Sequence, residues 1–380
     1  MSFDSLTNRR EFSSIKWKRY GEDVIPLWIA DMDFPSPSCV TEILQKEIAH
    51  GVFGYALPQK KLIGTVLDML ERKYDWQPEA SSIVWLPGLV CALNVCSRAF
   101  TQKGQNIVTS TPIYSPFLEA PKLAERTLYT VDLEVKNNRY EMDFDSLETS
   151  ITNKTSLYLL CNPHNPVGRS FSKEELTRLG NLCLKNNVVI CSDEIHCDLI
   201  LDKSVTHTPI ATLNEEFAQN SVTLMAPSKT WNLPGLGFSF AIIPSYKLRK
   251  RFLRAMKGIV PYPGRLGMLA AQSVYEHGEQ WRLDLLNHLR QNRTLIENYI
   301  KEKMPKIKFI RGEATYLAWL DVRLLNLDKP YFYFLKHKVA FSDGAEFGAP
   351  GFLRLNFATS TKLIQEALDR IFTAYSQITI

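Results

Sequence analysis

"NVVICSDEIH", residues 187–196, runs from Val188 to Cys191 without a polar side chain and then presents Ser192, Asp193, Glu194 and His196 in close order. A strand with one wet face alternates apolar and polar residues, whereas a strand covered by helices on both faces is apolar throughout. The stretch therefore reads as a buried strand of a parallel sheet, with an acid at its carboxyl end. In an open parallel sheet that end is where ligands bind.

Five more runs share the pattern: "SIVWL" (82–86), "QNIVTS" (105–110), "TLYTVDL" (127–133), "SLYLLCN" (156–162) and "SVTLMAPS" (221–228). Between two of them, "SKEELTRLGNLCLKNN" (172–187) opens on a serine followed three positions later by Glu175, the signature of a capped helix start. The fold class is α/β, a mostly parallel sheet sandwiched by helices. After "FSFAIIP" comes a long amphipathic stretch over 276–303, then four strand-like pieces, "KIKFIRG", "TYLAWLDV", "HKVAFSDG" and "FLRLNFA", and a last helix near 361–375. That region reads as a smaller α+β lobe. The expected division is a large domain over 41–279 and a small one built from 1–40 and 280–380.

Composition limits the partners. The chain has 380 residues, 45% of them hydrophobic, enough for more than one lobe. Its 45 Lys and Arg against 40 Asp and Glu are spread along the chain rather than gathered in tails. The most basic stretch, "KLRKRFLRAMK" (247–257), carries apolar residues at helical spacing and no aromatic stacking platform, so it reads as a solvated helix face rather than a nucleic-acid groove. Seven cysteines, an odd number with no metal-ligand spacing, fit free thiols in a reducing cytoplasm and no metal site. The N-terminus lacks an apolar signal core, and no run approaches the ~20 apolar residues of a membrane span.

The residues just past each apolar run form an unusual set. They are Gly88 opening a helical stretch, Tyr114, the asparagines of "NPHNPVG" (Asn162 and Asn165), Asp193 with His196, and Ser228 with Lys229. Each alone has an ordinary use: Lys229 as a surface cation, Asp193 as a cap, Asn165 as a turn residue, Tyr114 as core. Together they suit pyridoxal phosphate (PLP). A lysine amine can form a Schiff base, and a carboxylate can keep the pyridine nitrogen protonated. Helix-start amides can receive the phosphate, and a ring and an amide can hold the cofactor plane.

With these motifs in family order, the chain resembles fold-type I PLP enzymes of the class I/II aminotransferase superfamily, and within them the MalY/PatB cystathionine β-lyase (C-S lyase) branch. "PLWIADMDFPSP" (26–37), "HGVFGYALP" (50–58), "CNPHNPVGR", "SDEIHCDL", "APSKTWNLPGLG", "ATYLAWLD", "GAEFG" and "FLRLNFA" carry the resemblance nearly end to end. It implies Lys229 as the Schiff-base lysine and Asp193 as the partner of the pyridine nitrogen. Asn165 would bind the phenolic oxygen and Tyr114 would stack on the ring. Gly88, Leu89 and Val90 would offer amides to the phosphate with the Ser228 hydroxyl, Tyr55 would reach the phosphate of a neighbouring subunit in a homodimer, and Arg354 would hold the substrate carboxylate beside Tyr114 and Asn165.

Two positions depart from the wider superfamily. His196 stands where aminotransferases usually carry tyrosine, either lining the site or bracing Asp193, and Gly237 stands where they often carry a phosphate-binding arginine. The implied activity is α,β-elimination on L-cystathionine or a related cysteine S-conjugate. Transamination by the same residues and a regulatory binding role on the same fold remain open alternatives. The side-chain pocket is expected from loops around Ile29–Phe34 and Tyr262–Leu266.

Overall fold

The computed structural model describes residue 3 and residues 7–378. Seven strands make the large sheet: β1 (Ile83–Leu86), β2 (Asn106–Thr111), β3 (Thr127–Asp132), β4 (Thr155–Cys161), β5 (Val189–Asp193), β6 (Ser221–Met225) and β7 (Ser239–Ile242). Their order is β1-β7-β6-β5-β4-β2-β3. All neighbours are parallel except β7, which runs antiparallel to both β1 and β6. The six expected runs each become a strand, and β7 comes from "FSFAIIP". The edge strand β3 is largely exposed, while the others are buried along their length apart from one half-buried residue in β4.

Alternation along the strands explains why these runs are apolar throughout. Ile107, Leu157, Leu159 and Cys191 point to one face, against Leu93, Cys96 and Phe117 from the helices Leu89–Ala99 and Ser115–Leu123. Val108, Tyr158, Leu160 and Ile190 point to the other, against Leu176, Leu179 and Cys183 of the helix Lys173–Lys185. Removing any of these buried side chains costs on the order of 2–5 kcal/mol. That last helix begins with the capping box its sequence announces: Ser172 accepts from the Glu175 amide at 3.2 Å, and Glu175 accepts from the Ser172 amide at 2.8 Å.

The second sheet is antiparallel, with β8 (Lys308–Phe309), β9 (Leu317–Asp321), β10 (Ser342–Asp343) and β11 (Phe352–Asn356) in the order β8-β9-β11-β10. The helices Glu279–Lys303 and Thr361–Ser376 lie close to the expected positions. "HKVAFSDG" is not one strand of this sheet as expected. Val339–Ala340 pairs in parallel with Ile25–Pro26, and only Ser342–Asp343 pairs with β11. The competing partner is the N-terminal segment, 300 residues earlier, which no local pattern can announce.

The basic stretch lies on the helix Tyr246–Met256, with Leu248 and Phe252 buried and Leu253 exposed. All seven cysteines are free, and no helix among the described residues is long and apolar enough to cross a membrane. No metal-holding cluster of His, Cys, Asp or Glu occurs among them. The expected small-domain ranges run past the described residues at both ends.

Candidate active site

The register of the large sheet brings the strand ends level. Cys161 of β4 lies beside Asp193 of β5, and Asp193 beside Leu224 of β6. Beyond these ends opens a cavity of about 400 Å³. Gly88, Leu89, Val90, Tyr114, Asn165, Asp193, His196, Ser228, Lys229 and Arg354 all line it. A wider groove of about 1100 Å³ elsewhere contains none of these residues.

Lys229 follows β6 in a turn, and its Nζ donates to the Ala30 carbonyl at 2.7 Å. Loss of hydration on burial, reinforced by the Arg354 charge, pulls its ammonium down to about 8. Asp193 shows the opposite consequence of the same cause. Burial, aided by the neighbouring Glu194 charge, pushes its carboxyl up to about 7, although it accepts the Ile195 amide at 3.1 Å. No cation lies within ion-pair distance of Asp193 among the described residues.

Arg354 reaches the cavity from β11 of the other sheet. Its Nη1 donates to Asn165 Oδ1 at 3.1 Å, and its Nη2 to the Trp28 carbonyl at 3.0 Å and to Ser342 Oγ at 3.1 Å. The guanidinium lies 4.7 Å from the Phe347 ring centroid, and its Nε has no partner. It is 4% exposed, and among the described residues it has no carboxylate partner. Burial lowers it to about 10. A buried cation held only by neutral acceptors, with a donor to spare, is prepared for an anion that arrives from outside.

His196 lines the cavity and does not bond to Asp193. Its Nδ1 is unpartnered, its ring meets Tyr316 edge-on at 6.1 Å, and burial lowers it to about 3, so it stays neutral. Tyr114 caps the helix Ser115–Leu123, and its phenol is raised by burial. Asn162, the other asparagine of its motif, is fully buried and accepts the Phe171 amide at 3.0 Å, which makes it a brace for the loop. Tyr55 is fully exposed and does not line this chain's cavity. Of the expected pocket loops, Ile29 and Ala30 line the cavity, but Met32 and Phe34 are core and the 262–266 segment does not reach it. Tyr262 is exposed instead, and Arg265 is committed to Glu47.

Residues the site needs but sequence reasoning missed are Trp28, Tyr316, Ser342 and Phe347. Tyr316 donates to the same Ala30 carbonyl as Lys229, at 3.1 Å. Asn232 locks this segment to the lysine turn: its amide donates to the carbonyls of Met32 and Phe34 at 3.1 and 2.8 Å and accepts the Met32 amide at 3.0 Å. Their signal was present in "PLWIADMDF", "ATYLAWLD" and "APSKTWNLPG", but a backbone carbonyl has no letter in a sequence.

The residues fit PLP. Gly88 ends the chain's approach to the helix Leu89–Ala99 with no side-chain cap, and a Cβ there would meet nothing within 4 Å. The first amides of that helix thus open on the cavity, where a phosphate is welcome. Lys229, Asp193 and Arg354 supply an amine, an acid and an anion receptor in the same space.

Residues 22–371 match the family described as Aminotransferase class I and II. The chain belongs to that family. It is 36% identical to the cystathionine beta-lyase PatB of Bacillus subtilis (strain 168), covering 99% of this chain and 100% of PatB. Among solved structures, that of OvoB superposes with a TM-score of 0.97 at 39% identity, covering 99% of this chain and 100% of OvoB. Cystalysin from Treponema denticola, whose crystal structure contains pyridoxal 5'-phosphate, superposes at 0.96 with 32% identity over 100% of this chain and 99% of cystalysin.

Proposed function

We propose that this member of the class I and II aminotransferase family is a PLP-dependent carbon–sulfur β-lyase. It eliminates the sulfur substituent of L-cystathionine or a related cysteine S-conjugate, giving a thiol, pyruvate and ammonia. The observation that carries this is the cavity's charge pattern: an amine lowered to about 8, a carboxyl raised to about 7 and an arginine with no carboxylate of its own. Likeness to PatB over the full length of both chains supports elimination over transfer.

Bound PLP supplies an aldehyde carbon for Lys229 and a ring that accepts electrons from the substrate's Cα–H bond. Asp193 is the ring nitrogen's partner, Asn165 and Tyr114 hold the ring, and Gly88, Leu89, Val90 and Ser228 receive the phosphate. Arg354 takes the α-carboxylate through a two-pronged contact, fixing which bond at Cα is presented for cleavage. Lys229, once free and neutral, takes the α-proton, a role suited to an amine already near neutrality. His196 contributes an uncharged wall.

Tyr55 belongs to the same proposal as a group given to the neighbouring site of a homodimer. Support comes from the exposed apolar arm Val52, Phe53, Tyr55 and Leu57, which has no helix or strand of its own. The division into 41–279 and 1–40 with 280–380 is supported by the large sheet lying within 83–242 and the small one within 308–356. Residence in a reducing cytoplasm accords with seven free thiols.

The test is to purify the protein with PLP, record its visible absorbance, add L-cystathionine without any keto acid and follow pyruvate. Release of pyruvate and thiol is expected. Dependence on a keto acid would turn the reading to transamination, and a colourless protein that cannot be reconstituted would end it.

A further inference from the structure

The side chains lining the cavity include four charged ones besides neutral His196: Asp193, Glu346, Lys229 and Arg354. Three have duties in the reaction. Glu346 has none, and its placement is built with care. It lies on the short 3-10 turn Gly344–Phe347 that follows β10. Asp343 starts the turn by accepting the Ala345 amide at 3.1 Å. At Gly344 a Cβ would come within 2.4 Å of the carbonyl oxygens of Ala349 and Phe352, so the chain doubles back too tightly for any other residue. Gly348 closes the turn in the left-handed region at φ 82°.

The last two side chains of the turn differ in burial while lining the same cavity. Phe347 goes inward, beneath the Arg354 guanidinium and 5.5 Å from the Trp319 ring, and its carbonyl accepts the Ile113 amide of the other lobe at 3.0 Å. Glu346 stays exposed while still lining the cavity, which puts it at the mouth. It has no ion-pair or hydrogen-bond partner among the described residues. Trp28, the neighbouring wall, carries Arg19 over its ring at 4.5 Å.

We propose that Glu346 is a specificity-determining residue that binds a cationic ammonium on the sulfur-borne portion of the substrate. This rests on the lyase reading and narrows its substrate class. A substrate held by its α-carboxylate on Arg354 extends its sulfur substituent toward the open side of the cavity, where the remaining charge is negative. S-conjugates whose leaving thiol carries an amino group, as the homocysteine half of cystathionine does, gain a charge-assisted contact there. Plain S-alkyl cysteines gain nothing from it. Because the contact lies far from the breaking bonds and is made equally before and during them, it acts on KM rather than kcat.

The experiment compares L-cystathionine with S-propyl-L-cysteine, which lacks the distal ammonium, on the PLP-loaded wild type and on Glu346→Gln. The wild type is expected to favour cystathionine. The substitution is expected to raise KM for cystathionine about tenfold, with kcat and all constants for S-propyl-L-cysteine unchanged, the size of one charge-assisted hydrogen bond. Glu346→Asp should recover part of the loss. Equal effects on both substrates, or no effect on cystathionine, overturn the proposal while leaving the lyase reading intact. A wild type that releases pyruvate from neither substrate sinks the lyase reading itself. Visible absorbance and thermal midpoint of the variant, expected to match the wild type, separate misfolding from lost recognition.

Discussion

Two buried aspartates face opposite fates in this molecule. Asp33, in the N-terminal segment, is 1% exposed and fully attended: Lys16 Nζ lies at 2.8 Å, Arg9 Nη1 at 3.1 Å and Trp17 Nε1 at 2.7 Å. Burial pushes its carboxyl up, but Lys16, Trp17 and Arg9 outweigh that and hold it below the ordinary value of 3.8. Asp193, 5% exposed at the end of β5, has one amide and, among the described residues, no cation within ion-pair distance, and is pushed up to about 7. A carboxylate the fold has satisfied is part of its framework. One left unsatisfied awaits a cationic partner from outside, and that difference, more than burial or motif, marks the chemical site.

The contrast can be broken at several points. The largest expected effect is on the amine opposite Asp193. Lys229→Ala should lower pyruvate release by about 10⁴-fold or more and abolish the visible absorbance of the reconstituted protein. In the cofactor-free wild type, the rate of PLP capture should climb with pH and level off near 8 rather than near the ordinary lysine value of 10.5, since only the neutral amine attacks. A climb continuing past pH 9 would contradict the lowered amine.

Next is Asp33→Asn, which takes from the buried Lys16 its anion at 2.8 Å and leaves only Asp31 Oδ1 at 3.9 Å. Such a break costs about 3–5 kcal/mol, readable as a fall of the thermal midpoint without an altered absorbance maximum in whatever protein remains folded. Because Asp33 is held below 3.8, its contribution is present above about pH 4 and is lost as pH falls through its folded value. Chemical denaturation at pH 7 and pH 3 should therefore show the wild type and variant converging at the lower pH.

Arg354→Lys should follow, raising KM for the amino acid roughly 100-fold while cofactor absorbance is kept, because an ammonium cannot reproduce the planar fork. Steady-state kinetics on L-cystathionine measures it.

The smallest effect is the most pointed. Asp193 holds its proton more tightly folded than unfolded, so its carboxylate costs stability once pH exceeds the ordinary value of 3.8. Asp193→Asn should thus raise the thermal midpoint of the cofactor-free protein at pH 8 and leave it unchanged at pH 4. A destabilised variant at pH 8 would place Asp193 with Asp33 as framework.

Much of this was legible along the chain because the signals are local. Val188–Cys191 and its sister runs need no knowledge of their neighbours to declare themselves double-covered strands, and the capping box at Ser172 is complete within four residues. The polar residues after each run follow from where parallel strands end. The split of "HKVAFSDG" was illegible, since Val339 chooses Ile25 as partner across more than 300 residues. So was the dock of Lys229, an oxygen on Ala30's backbone 199 positions away.

By itself, then, the sequence determined the order of strands and helices, the kind of side chain at each strand end and the family to which they belong, because periodicity and caps act over a few residues. Only the tertiary structure decided which charges were satisfied and which were left waiting. Desolvation and pairing depend on what packs around a group, and for Asp33, Asp193, Arg354 and Glu346 that environment is assembled from segments distant in the chain.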